Sequence, residues 1–274
     1  MAIDLAVELI QATVQLEASY GDGTRNVGTG FLVEAPGPNG RPRVVLITAE
    51  HVLSRMPGQV MTIGYRATNT DGTWKYQPQT VEIRKGSTSL WVTSAGHDVA
   101  AIEVVPTEAS GREAVPAAWL ADDAAFSANG IGPGDEMMAL GYPLGMAANP
   151  AGFAILRSGK VASYPIAPSR QFPTFLLDFS VFPGNSGGPV FVKTGQGDAS
   201  HLLITGVMTQ QLETGDQSLG IGVVTQADFI RQAIGELDKP GSVRHVAQTL
   251  EGPGRYPSQS PVFSAASAAA QVSK

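Results

Sequence analysis

The chain has no cysteine, which excludes disulfides, thiolate zinc sites and thiol catalysis. Folded stability therefore rests on packing alone. Charge is also sparse: 15% of the 274 residues are charged, and 18 basic against 24 acidic side chains leave a net charge of −6. With no run of Lys or Arg, nothing draws the chain electrostatically to nucleic acid or to an anionic membrane, and neither is expected as a partner. No stretch approaches the roughly 18 uninterrupted apolar residues of a membrane span. The opening Met1-Ala2-Ile3-Asp4-Leu5 lacks the basic segment and small-residue cleavage site of a secretory leader. The expected location is cytoplasmic if the chain is complete and extracytoplasmic if a leader has been removed. Histidine is scarce as well, with only four, and no His, Asp or Glu spacing suits a metal site, so no metal or other cofactor is expected.

What is present is apolar residues, 43% of the chain, enough for a sizeable core. They fall in short runs separated by turn signals. Thr13 to Leu16, Val27 to Val33, Val44 to Thr48, Val60 to Tyr65, Thr80 to Ile83, Leu90 to Val92 and Val99 to Val105 form a first series, with a hairpin turn at Asn69-Thr70-Asp71-Gly72. Residues 106–134 are irregular and rich in Ala, Pro, Asp and Gly, as a connection between two units would be. A second series follows: Glu136 to Leu140, Phe153 to Val161, Phe175 to Phe179, Val190 to Val192, Leu202 to Thr209, and Ile221 to Val224. The pattern predicts an all-β protein of two successive units, for which closed barrels remove exposed edges. Helices are predicted only at the ends. One is a lead-in over 4–11 behind Asp4, and the other is an amphipathic helix over 226–238 with Ile230, Ala233, Ile234 and Leu237 on one face, docked on the second unit. The units are expected at 1–115 and 116–245, followed by an Ala/Ser/Pro/Gly tail over 246–274 too poor in apolar area to fold.

One stretch stands apart: Phe182-Pro183-Gly184-Asn185-Ser186-Gly187-Gly188-Pro189-Val190. Glycines flank a single hydroxyl, leaving room for a substrate and letting backbone N–H groups turn inward. Ser186 reads as a nucleophile, although the same residues suit an ordinary polar turn. A serine nucleophile needs an adjacent base, itself oriented by a third group. His51 ends an apolar run, and His97 precedes Asp98 at the start of another. His201 and His245 lie near loop or terminal segments.

Three motifs then become specific together. Thr48-Ala49-Glu50-His51, His97-Asp98-Val99-Ala100 and Gly184-Asn185-Ser186-Gly187-Gly188-Pro189 occur in that order, 47 and 88 residues separating His51, Asp98 and Ser186. They resemble the His, Asp and Ser motifs of the trypsin-like (chymotrypsin-fold) serine proteases. Gly28-Thr29-Gly30-Phe31-Leu32-Val33, Leu140-Gly141-Tyr142-Pro143-Leu144-Gly145 and Gly220-Ile221-Gly222-Val223-Val224 extend the likeness over residues 5–238. Within that family it leans toward the bacterial HtrA/Deg-like branch. The resemblance implies two antiparallel six-stranded β-barrels with a C-terminal helix. It implies a triad of His51, Asp98 and Ser186 in the cleft between them, and an oxyanion hole from the N–H groups of Gly184 and Ser186. It further implies Thr209-Gln210-Gln211 as the edge that pairs with an extended substrate, and Ser180 and Gly222 in the primary specificity pocket. Neither pocket residue is charged, and Met208 stands where glutamyl-specific relatives carry histidine, so an uncharged, aliphatic residue is expected before the cut.

Rival patterns fail on context. Gly184-Asn185-Ser186-Gly187-Gly188 also satisfies G-x-S-x-G, but an α/β-hydrolase elbow needs a helix after the serine, and here Pro189 and a β-branched, aromatic run follow. Gly28-Thr29-Gly30 lacks the third glycine and helix of a dinucleotide loop. The digestive proteases carry an aspartate where this chain has Asn185, so a zymogen switch through a new N-terminal ammonium is not expected. Fewer than 40 residues follow the last predicted helix, too few for an appended PDZ module. Protein or peptide substrates are the expected partners. The competing functional class is a non-catalytic peptide-binding or scaffold module on the same fold.

Overall fold

The computed structural model describes residues 4–106, 114–195, 201–214 and 217–239. The expected tail over 246–274 lies outside the described residues. Helix α1 (Leu5–Ala12) starts where the sequence predicts, because the Asp4 carboxylate accepts the Ala6 N–H at 2.9 Å. It delivers the chain into a sheet built from β1 (Thr13–Ser19), β2 (Arg25–Pro36) and β3 (Pro42–Thr48). The short α2 (Glu50–Ser54), β4 (Val60–Thr68) and β5 (Trp74–Glu82) follow. Three two-residue strands, β6 (Arg84–Lys85), β7 (Thr88–Ser89) and β8 (Val92–Thr93), then lead to β9 (Ala100–Val104).

The hydrogen-bonded order is β5-β4-β1-β2-β3-β9-β8. A closed six-stranded barrel was the expectation for this unit, and among the described residues the path is open. Its ends are joined by the β6-β7 hairpin, where the Leu90 N–H donates to the Ile83 carbonyl at 2.9 Å. Arg84 to Thr93 is too broken by polar residues and the Gly86 turn to form one long closing strand. Its apolar members, Ile83, Leu90 and Trp91, still turn inward.

The connection is more ordered than its composition suggests. β10 (Val115–Pro116) adds in parallel to β2 with Val115 opposite Val33, and α3 (Asp123–Ala128) is capped by Asp122, which accepts the Ala125 N–H at 2.8 Å. The second unit is a closed barrel in the order β11 (Glu136–Gly141), β12 (Ile155–Val161), β13 (Thr174–Asp178), β16 (Gln217–Gln226), β15 (His201–Thr214) and β14 (Pro189–Thr194). Phe175, Leu177, Met208 and Val224 fill its interior.

Helix α4 (Ala227–Glu236) closes the fold, and its docking differs from expectation. It bridges both units instead of resting on the second alone. Phe229 stacks on His97 with ring centroids 3.6 Å apart, Gln232 accepts from Ser94 Oγ at 3.1 Å, and just beyond the helix Asp238 takes a two-pronged bond from Arg43 at 3.0 and 2.8 Å. Phe229 and Ile230 are adjacent and both buried, so the apolar face is wider than the i, i+3, i+4 stripe. A second tie is polar. Arg66 of β4 is buried and donates to the Tyr142 hydroxyl at 3.3 Å and the Gly152 carbonyl at 3.2 Å, with its guanidinium 4.8 Å from the Phe153 ring centre. Loop 142–152 of the second unit is thereby braced from the first.

Candidate active site

β3 runs apolar to Thr48, and Ala49 in extended conformation starts α2, so His51 sits in the first turn with its ring at the rim of a cleft. Asp98 is presented by a tight turn between β8 and β9, in which the His97 N–H donates to Ser94 and the Val99 N–H to the His97 carbonyl, at 3.0 and 2.8 Å. The carboxylate receives the His51 N–H on Oδ1 at 2.9 Å and lies 2.6 Å from His51 Nδ1 through Oδ2. A carboxylate only accepts, so Nδ1 carries the proton and Nε2 is left as the free ring nitrogen. Burial pushes the Asp98 pKa up, but the hydrogen bonds from the His51 side chain and backbone and the His51 charge outweigh it, and the net shift is downward. Asp98 is therefore ionised at neutral pH.

Ser186 lies on the loop before β14. Gly184 and Gly187 have φ of +97° and +90°, and neither tolerates a side chain: a Cβ on Gly184 would fall 2.2 Å from the Tyr142 carbonyl, and one on Gly187 2.0 Å from the Thr29 carbonyl. Two bonds within the turn hold it, from the Asn185 N–H to the Phe182 carbonyl at 3.0 Å and from the Gly188 N–H to the Asn185 carbonyl at 3.1 Å, and the Gly187 N–H ties it to the Met208 carbonyl of β15 at 2.7 Å. The N–H groups of Gly184 and Ser186 meet no acceptor among the described residues. Ser186 Oγ donates to the Thr209 carbonyl at 3.4 Å, and no bond to His51 is formed. Asn185 is 5% exposed, a buried neutral amide where a carboxylate would need a cation.

His51, Asp98, Ser186, Ser180, Thr209, Gln210 and Gln211 all line one cleft of about 830 Å³. Thr209 sits at a register shift of the β15-β16 ladder, and β14 pairs β15 only as far as Val207. The other edge of Thr209 to Gln211 consequently pairs with no strand among the described residues, carries the Ser186 Oγ bond to the Thr209 carbonyl, and lines the cleft. Gly222 does not line it: paired with Gln211, it lies behind the wall, where a Cβ would meet Val181 at 2.8 Å and Met208 at 3.1 Å. Gly220 lines the cleft instead, with Ser180 Oγ 3.6 Å from where its Cβ would be.

Sequence reasoning missed Arg157. Its guanidinium donates to the Ser180 carbonyl and lies 5.0 and 5.4 Å from the Phe179 and Phe182 ring centres, stiffening the pocket wall from outside the cleft. An arginine in an alternating strand, 23 residues from its partner, carries no local signal. Arg55 and Glu213 also line the cleft, as charges at its periphery. Among the described residues no three His, Asp or Glu side chains converge as a metal site requires, and no helix is long and apolar enough to cross a membrane.

Residues 28–197, more than half of the chain, match the family described as the trypsin-like peptidase domain. The chain belongs to the trypsin-like peptidases. The matched span holds His51, Asp98 and Ser186. Among solved structures the peptidase is similar to protease Anisep from Arthrobacter nicotinovorans, at 16% identity and a TM-score of 0.50, over 82% of this chain and 94% of that one. It is also similar to the thermostable serine protease AL20 from an extremophilic microorganism, at 16% identity and a TM-score of 0.48, over 81% and 94% of the two chains. At such identities the first likeness carries the fold alone. No curated protein sequence matches the chain. A trypsin-like peptidase fold, with its closed barrel and C-terminal helix, agrees with the all-β expectation.

Proposed function

We propose that this trypsin-like peptidase is a serine endopeptidase working through an acyl-enzyme, with Ser186 as nucleophile, His51 as general base and acid, and Asp98 as the group that orients His51. The observation that carries the reading is the 2.6 Å His51–Asp98 contact in the same cleft as a serine whose loop holds two unpaired N–H groups. His51 Nε2 removes the Ser186 proton as Oγ attacks the scissile carbonyl carbon, and the oxyanion forms against the N–H groups of Gly184 and Ser186. His51 then returns the proton to the leaving amine, and the C–N bond breaks. Water, deprotonated by His51, attacks the acyl ester and releases Ser186. For the first step Ser186 Oγ leaves the Thr209 carbonyl by rotation about χ1, consistent with catalytic bonds that tighten only on substrate binding. We divide the chain at 115 and 116, so that His51 and Asp98 come from the first unit and Ser186 from the second.

The unpaired edge of Thr209 to Gln211 takes the substrate backbone as an added strand. Ser180, Val181 and Gly220 bound the pocket for the residue before the cut, and none is charged. The expected substrates are extended segments with an uncharged aliphatic residue there. In a mixed peptide library digested by the purified protein, cleavage products should end in aliphatic residues, and Ser186→Ala should give none. Cleavage after Lys, Arg, Asp or Glu would overturn the preference. Peptide binding without any cleavage would favour a non-catalytic module.

A further inference from the structure

Thr29 of β2, fully buried, uses every polar atom it has on the catalytic loop and its supports. Its hydroxyl donates to the Gly184 carbonyl at 2.6 Å and accepts the Tyr142 N–H at 3.1 Å. Its N–H donates to the Ser186 carbonyl at 2.9 Å, and its carbonyl accepts Thr48 Oγ1 at 2.6 Å. Tyr142 begins a turn in which Leu144 has φ +54°, a left-handed conformation rare for a branched residue, and 59% exposure. In that turn the Leu144 N–H donates to the Pro183 carbonyl, 2.6 Å away. The turn is held further by Gln15 Nε2, which donates to the Gly145 carbonyl at 3.0 Å.

The carbonyl and N–H of a trans peptide point to opposite sides. Pinning the Pro183 carbonyl on Leu144 therefore fixes the Gly184 N–H away from that turn. Pinning the Gly184 carbonyl on Thr29 fixes the next peptide as well. Gly184 has no side chain, and without these two bonds its flanking peptides could rotate and turn a carbonyl toward the substrate. We infer that Thr29, through its hydroxyl, and Leu144, through its N–H, are positioning residues that hold the oxyanion-binding peptide of Gly184 in its donating orientation, so that Thr29 of the first unit helps set the transition-state site of the second.

This inference rests on the serine-peptidase reading, and the test separates the two. Wild type, Thr29→Val, Thr29→Ser and Leu144→Pro are compared for kcat and KM on one peptide. They are also compared for affinity toward a peptide aldehyde, whose adduct with Ser186 places an oxyanion in the hole, and toward the corresponding peptide amide, which does not. Thr29→Val should lower kcat by about 100-fold, the scale of losing one oxyanion donor. Its aldehyde affinity should fall in parallel, with KM and amide affinity within about twofold of wild type. Thr29→Ser, which keeps the hydroxyl, should recover most of the loss. Leu144→Pro removes the other N–H and, because proline holds φ near about −65°, also releases the left-handed turn around it, so the Pro183 carbonyl loses its pin altogether; in this exposed turn it should give the same kcat-only defect, and it carries the test if Thr29→Val does not fold. An active wild type whose Thr29→Val and Leu144→Pro variants keep its kcat, or lose only in KM, overturns the inference alone. A wild type that neither cleaves peptides nor forms the aldehyde adduct overturns the peptidase reading and this inference with it.

Discussion

Alanine at His51 should lower kcat for a peptide substrate by about 10⁶-fold, and alanine at Ser186 by a similar factor, because members of such a unit fail together. The free Nε2 of His51 belongs to a ring in the cleft that is already oriented. Two bonds to Asp98, from the backbone N–H at 2.9 Å and from Nδ1 at 2.6 Å, leave the ring little rotational freedom. Asp98→Asn should be milder, about 10⁴-fold, since an amide can preserve the position while favouring the wrong tautomer. Steady-state rates on a single fluorogenic peptide check the series. Equal, small losses for all three would mean that the residues shape the cleft without sharing a reaction.

The second large effect concerns stability. Gly187→Ala should lower unfolding free energy by about 2–5 kcal/mol, combining a left-handed backbone with a methyl group forced into a closed space. The methyl carbon would lie 2.0 Å from the Thr29 carbonyl and 2.1 Å from Thr48 Oγ1, breaking the bond between them. Gly134→Ala is the control. Its φ of +89° is nearly the same, but nothing lies within 4 Å of the added carbon, so only the backbone penalty of about 1–2 kcal/mol applies. Urea denaturation midpoints measure both. Equal losses at the two positions would show that the close approach of the two units at Gly187 is unimportant.

Local features of the sequence translated well. Asp4 caps α1 because the carboxylate acceptor and the Ala6 N–H donor are two residues apart, and the hairpin at Asn69 to Gly72 closes through the Asn69 N–H and Thr73 carbonyl at 2.7 Å. His51, Asp98 and Ser186 were identifiable since each sits in a contiguous motif, and the fold brings all three to one cleft.

What was not legible depends on distant partners. Thr29 meets Gly184 across 155 positions, and nothing in Gly28-Thr29-Gly30 reveals that its hydroxyl reaches another barrel. Arg66, a charge in a strand, carries no local sign of the Tyr142 and Gly152 partners that the fold brings to it. The open path of the first sheet follows from β6, β7 and β8 being two residues each, a length that apolar patterning does not resolve. Gly220 rather than Gly222 reaches the cleft because the register shift at Leu212 and Glu213 decides which residue of β16 faces the pocket. Bulges are set by the ladder and not by the strand alone.

The most direct measurement is reaction of the intact protein with a fluorophosphonate, followed by mass spectrometry of the whole chain and its peptides. The expected result is one adduct per chain, on Ser186, lost in Ser186→Ala and strongly slowed in His51→Ala. A wild type that binds peptides yet takes up no phosphonate under several conditions, or takes it up elsewhere with Ser186 untouched, would contradict the assignment of Ser186 as the nucleophile.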